Sequence, residues 1–357
     1  MAATVLSLTF RGPVLIYQRH RQAIENLLIA GALTLLVGLF LDATAIYPAQ
    51  WRTVLLLTIL MVGTQWRDWG YYIAFASLLW PLWNLSPYLM TLFVAVALLP
   101  RYWIIEYLPW VLLVVSAPLL TEWQIIALVP LLAGLVAGPA TGWWTGVLSV
   151  LWVKLVAGMS GVLPELGALH GLFFSLAPIE SHFTHASSLE TLELLAAPFA
   201  ESSFLLLLHL LQAAAWGLAG FLVGTIHEME WRKGRPSFIL LPTLALGFLV
   251  LWAGLYLLPA WLELQSFSVF LKDWMPTAGV ALSVLAAGLL AMFYESMQRP
   301  VPPPDLPREG APTVEPRVPS GASKPRREPF VESKRPSSRP VKLRPMQDGT
   351  IMLEFDD

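Results

Sequence analysis

SFLLLLHLLQAAAWGLAGFLVGTI, residues 203–226, is an apolar run with a single histidine, His209, inside it. A membrane-spanning helix needs about 20 such residues, rising 1.5 Å each. The run lies within residues 155–231, which hold no lysine or arginine, seven glutamates and five of the six histidines. From Arg299 onward the chain carries eleven of its 22 Lys+Arg. A membrane sorts charge this way, because basic loops stay on the cytoplasmic side.

The whole composition agrees. The 357 residues are 56% hydrophobic and 13% charged, with a mean hydropathy of +0.64. A soluble domain, with about a quarter of its residues charged, does not hide that much apolar surface. The net charge of −2 argues against nucleic-acid partners. The absence of cysteine excludes disulfides, iron–sulfur clusters, thiolate metal sites and cysteine nucleophiles. The apolar run 23–46 follows a basic start and has no clear cleavage site, so it reads as a span and not as a removable signal peptide.

Outward from the opening stretch, clear spans are expected at 24–46, 104–120, 141–159, 203–226, 238–259 and 277–294. Shorter runs at 53–66, 69–83 and 87–99, and a fourth at 123–138, read as thin spans or re-entrant pieces. Many of the sixteen tryptophans fall near these boundaries, where indoles favour the headgroup level. Arg11, Arg19, Arg21, Arg67, Arg101 and Arg232 then mark the cytoplasmic side, and Arg52 fits less well. The expected fold is all-α: a polytopic helical membrane bundle of eight to ten transmembrane helices, both termini cytoplasmic, with a disordered C-terminal tail. The expected divisions are a cytoplasmic segment 1–22, membrane helices 23–159, an extracytoplasmic acidic segment 160–202, membrane helices 203–296 and a tail 297–357.

Gly134, Gly138, Gly142 and Gly146 recur at four-residue spacing, with Pro139 among them. One straight helix over 123–159 would outrun a bilayer, so residues 138–142 read as a tight turn between two closely packed helices. Ala215/Ala219 and Gly220/Gly224 give a second small-residue ridge.

In the acidic segment, Ser187 and Glu190 have the spacing of a helix capping box, ahead of a short helix 189–197. Glu180, His182 and His185 are the best candidate metal ligands, with His170, Glu190 and Glu193 near in sequence. Imidazole and carboxylate suit zinc or another divalent ion. The alternative is a solvated polar loop.

Two ionisable residues belong to membrane runs: His209, and Lys154 near a helix end, where it is expected to snorkel to the interface or pair with a glutamate of the acidic segment. Asp42 falls near the outer end of the first span. Glycine, methionine, serine and glycine at 158–161 resemble the Gly-x-Ser-Gly motif of rhomboid intramembrane proteases, which would make Ser160 a nucleophile and His209 its base. The asparagine and histidine of the rhomboid oxyanion region have no counterpart. The glycine-rich stretch 132–146 resembles the helical hairpin in substrate-binding subunits of energy-coupling-factor vitamin transporters, and the five-helix sensor region of some bacterial histidine kinases. No binding residues carry over from either.

The tail from Arg299 has 13 of the 29 prolines and no tryptophan. Such a segment buries too little surface to fold alone. Residues 324–344 are basic and suit anionic lipid headgroups, and 347–357 read as a docking peptide for a cytoplasmic protein. The expected function is a non-enzymatic transport-type or scaffold component of a bacterial inner membrane. A membrane enzyme using the Glu/His segment, and a sensor or assembly factor, are the alternatives.

Overall fold

The structure, a computed structural model, describes residues 11–161, 176–200, 202–232, 236–262, 274–298, 343–345 and 351–353. Contacts divide the chain into residues 1–302 and 303–357.

Among its described residues the first unit holds helices and no strand. It begins with α1 (Arg11–Arg19) and α2 (Arg21–Thr44). Buried Ala30, Leu33, Val37 and Leu41 recur at helical spacing on one side of α2, while Leu28 and Leu35 on the other are exposed. A helix apolar all round suits lipid on its outer side. After a left-handed Ala45 come α3 (Ala49–Gln65), α4 (Arg67–Leu85) and α5 (Pro87–Leu98). Arg52 pairs with Asp42 across the α2–α3 turn. That pairing supplies the local reason for an arginine the charge pattern does not explain.

The expected span 104–120 is not one helix. It is α6 (Arg101–Glu106), α7 (Leu108–Val115) and α8 (Ala117–Glu122). Pro109 and Pro118 fall in the first turns of α7 and α8. Proline removes an N–H and crowds the preceding turn, so each proline starts a new helix.

Next come α9 (Leu128–Ala137) and α10 (Pro139–Met159). The turn between them is Gly138 alone, with φ +88°, where a side chain would be strained. The following helices are α11 (Leu176–Phe183), α12 (Ser188–Ala200), α13 (Ser203–Arg232) and α14 (Pro236–Trp252). A π turn (Ala253–Leu257) continues α14 into α15 (Leu258–Trp261), and α16 (Met275–Gln298) closes the unit.

Five of these helices are long and apolar enough to cross a membrane: Arg21–Thr44, Pro139–Met159, Ser203–Met229, Leu240–Trp261 and Met275–Gln298. They suggest a multi-pass membrane protein. Large apolar side chains such as Leu241 and Leu289 stand exposed on them, at 79% and 69%. Apolar surface on that scale needs lipid or a partner to cover it.

α9, α10 and α13 form the centre. A methyl added at Gly142 would lie 2.6 Å from the Gly220 carbonyl oxygen, and one at Gly146 2.6 Å from that of Trp216. Only glycine lets these backbones touch. Gly134 on α9 meets the same Gly220 carbonyl, and Gly224 abuts Pro139. Two ridges read separately in the sequence are thus one three-helix contact. Around it, Val129, Leu131, Val150, Trp216, Val223, Leu251 and Val280 build the main core. A second core joins α2, α3, α4 and α7 through Leu33, Leu41, Ile59, Tyr71 and Leu108.

In residues 303–357, β1 (Leu343–Pro345) pairs antiparallel with β2 (Ile351–Leu353), Arg344 opposite Met352. The expected disordered tail begins at residue 297, but α16 continues through Met297 and Gln298; apart from the two strands, the remaining residues of that tail lie outside the described ones.

Candidate functional site

α10 and α13 run antiparallel, and their register can be followed side by side. Gly142 meets Gly220 and Gly146 meets Trp216. Further along the same seam, Lys154 meets His209. The Lys154 Nζ lies 2.7 Å from His209 Nδ1 and donates to Gln212 Oε1 at 2.8 Å. The three side chains are buried, at 0%, 1% and 2% exposure. Lys154 therefore does not snorkel to an interface. The glycines bring the helices close, and the lysine Nζ is held between them.

His209 and Gln212 are three residues apart on α13, so they share a face. Gln212 also spans to a third helix: its Nε2 donates to the Gly254 carbonyl in the π turn at 3.4 Å, the long end of the hydrogen-bonding range. π turns inside α-helices occur often at functional sites. Phe199, on α12, lies edge-on to the His209 ring at 5.6 Å between centroids. α12 is thereby seated over the cluster.

The heavy-atom geometry admits two proton arrangements. If lysine is an ammonium, it donates to an unprotonated Nδ1 and the imidazole carries its proton on Nε2. If lysine is an amine, Nδ1–H donates to it. A buried charge is costly unless hydrogen-bonded, and an ammonium here would have an imidazole and an amide oxygen as partners.

The cluster contains both ionisable residues singled out in the apolar runs of the sequence, and adds Gln212, which was not. The usable signal was its position one turn from His209 on the small-residue face of the same run.

The proposed metal ligands are not gathered into a metal site among the described residues. Ile179 and Phe183 turn inward from α11 against Leu89. Glu180 and His182, two residues apart on that short helix, therefore face different directions, and His185 lies beyond its end; all three are exposed. Among the described residues no three His, Asp or Glu side chains gather as a metal site. His170 lies outside the described residues, as do Glu165 and Glu201 of the acidic segment. The rhomboid-like pair is not assembled as a dyad: Ser160 donates to the Val156 carbonyl at 2.9 Å, and His209 Nδ1 faces Lys154.

The capping box forms. The Ser187 N–H donates to Glu190 Oε2 at 2.7 Å, and the Glu190 N–H to Ser187 Oγ at 3.4 Å. Accepting the Ser187 backbone N–H, with the Ser187 side chain adding to it, holds the Glu190 carboxyl below its ordinary value.

No family model matches this chain, and no curated protein or solved structure matches it. The reading of its function rests on its own residues.

Proposed function

We propose that this chain is a multi-pass membrane component of transport type, in which Lys154, His209 and Gln212 form a buried proton-exchange site. The observation that carries the reading is the 2.7 Å approach of two basic nitrogens, fully buried at the junction of long apolar helices. An ionisable group inside a membrane bundle is a functional candidate by default.

The proton balance is simple. A proton arriving at a neutral Lys154 amine makes the ammonium. Transfer from Nζ to His209 Nδ1 leaves the amine and makes an imidazolium. Return of that proton from Nδ1 to Nζ restores the starting pair, so the step exchanges one proton between the two nitrogens. In the ammonium arrangement the proton sits on Nζ, with His209 Nδ1 and Gln212 Oε1 as its acceptors.

The ten-span arrangement places both termini in the cytoplasm of a bacterial inner membrane. It is supported by counting α3, α4, α5, the α6–α8 run and α9 as crossings beside the five long helices. It is supported also by Arg11, Arg19, Arg21, Arg67, Arg101 and Arg232 against the empty stretch 155–231. The chain's lack of cysteine makes single-cysteine labelling direct. Cysteines at Ser187 and Ser338 are expected to label from opposite sides, and same-side labelling would overturn the orientation.

Proteoliposomes holding the full chain and a trapped pH dye test the site. A pH or voltage gradient should drive proton flux that K154M and H209Q both abolish. Flux equal to wild type in both variants would end the proton-site reading.

A scaffold reading is favoured by one observation, the pairing of Ile351–Leu353 as a strand. On that reading residues 347–357 dock a cytoplasmic protein while 324–344 rest on anionic lipid. A pull-down with and without 347–357 separates it: unchanged partners would remove it.

A further inference from the structure

Two irregularities, the π turn and Pro259, meet at one carbonyl. In the π register each N–H bonds the carbonyl five residues back, as Leu258 N–H does to Ala253 O. The next donor in that register would be residue 259, and its acceptor the Gly254 carbonyl. Residue 259 is proline and has no N–H to give. Gln212 Nε2 donates to that carbonyl from the neighbouring helix.

An amide has two ends. With Nε2 turned to a carbonyl, Oε1 is the end that faces Lys154, where it accepts at 2.8 Å. A flipped amide would set N–H donors against an ammonium and oxygen against oxygen. The carbonyl vacated by proline thus selects the amide orientation that favours a protonated lysine.

We infer that Pro259 is a positioning residue for the Lys154–His209 pair, acting through the Gly254 carbonyl and the Gln212 amide to hold the proton on Lys154. The inference deepens the proton-site reading and rests on it. A restored N–H at 259 would compete for the carbonyl, free the amide to turn, and weaken the hold on the ammonium. Other titratable groups on the elements packed against α10 and α13 are Glu122 on α8, Glu180 and His182 on α11, Glu190 and Glu193 on α12, and Tyr256 in the π turn. α13 itself adds His227, Glu228 and Glu230 toward its far end. α7, α9, α14 and α15 bring none.

The test uses the full chain in lipid vesicles with 15N-labelled lysine side chains. The chain has only six lysines, so the Lys154 resonance is assigned by its loss in K154M. The pH at which Nζ loses its proton is then followed. A charge-assisted hydrogen bond contributes enough that P259A and Q212L should each lower the midpoint by about one pH unit. P259S restores the same N–H and serves if P259A fails to fold. The double variant Q212L/P259A should shift no further than Q212L alone, because both act on one link. An unshifted midpoint in the proline variants, beside a shifted one in Q212L, overturns the role of Pro259 and leaves the site standing. Additive shifts overturn it too. A wild-type Lys154 that titrates like the other five lysines overturns the site itself.

Discussion

The Lys154 Nζ and His209 Nδ1 lie 2.7 Å apart on two antiparallel helices, 55 residues distant in sequence. Both side chains are buried. The energetic weight of this contact falls on whichever side chain is left without the other.

The single and double substitutions should therefore be unequal. H209A removes an acceptor from a buried ammonium and is expected to lower the thermal midpoint in detergent. K154M fills the same space without charge and should cost less or nothing. In the double variant K154M/H209A the histidine change should lose most of its effect, with a coupling energy of about 1.5–3 kcal/mol. Thermal unfolding of the four proteins measures it, and additive effects would show that the two side chains do not interact.

The glycine seam makes a steric prediction. G220A puts a methyl against the Gly142 and Pro130 carbonyls and should destabilise by about 1–3 kcal/mol. G31A, where nothing lies within 4 Å, is the control and should be nearly neutral. Equal midpoints for the two would mean that α10 and α13 do not touch.

The capping box predicts a pH dependence. The Glu190 carboxyl is lowered in the folded state, so its contribution is present above the ordinary carboxylate range and is lost as pH falls through the folded value. A spin label at Leu192→Cys should report an ordered α12 near neutrality and a mobile one in acid. E190Q should remove that pH response. A response unaltered in E190Q would assign it to another carboxyl.

The Asp42–Arg52 pair predicts a reciprocal rescue. D42R alone sets two arginines together at the α2–α3 turn. The swap D42R/R52D restores attraction and should recover the lost stability, a difference of up to about 1 kcal/mol for a partly exposed pair. Failure of the swap to recover it, in thermal unfolding, would make the pairing incidental.

What the sequence disclosed follows from how local each feature is. Long apolar runs and the Ser187–Glu190 box are set within one helix, and the structure has helices at both. The run 104–120 was misjudged because hydropathy averages over Pro109 and Pro118, which interrupt backbone hydrogen bonding without lowering apolarity. The snorkelling expected of Lys154 fails because its nearness to a helix end is visible, while the neighbour that buries it is not. Each glycine ridge showed as small-residue spacing, yet that they belong to one seam depends on which helices meet. Gln212 went unnoticed because an uncharged amide leaves no mark on a charge map.

The helices of the first unit differ in length in a way that reaches the surrounding lipid. α5 has 12 residues and would span about 18 Å, whereas α2 and α16 have 24 each and would span about 36 Å. A hydrocarbon layer near 30 Å cannot suit both. On the ten-span reading proposed above, the protein thins the leaflets beside its short helices or tilts its long ones. Its energy then depends on acyl-chain length, so a change in the fatty acids of the host membrane acts on this bundle as a mechanical load.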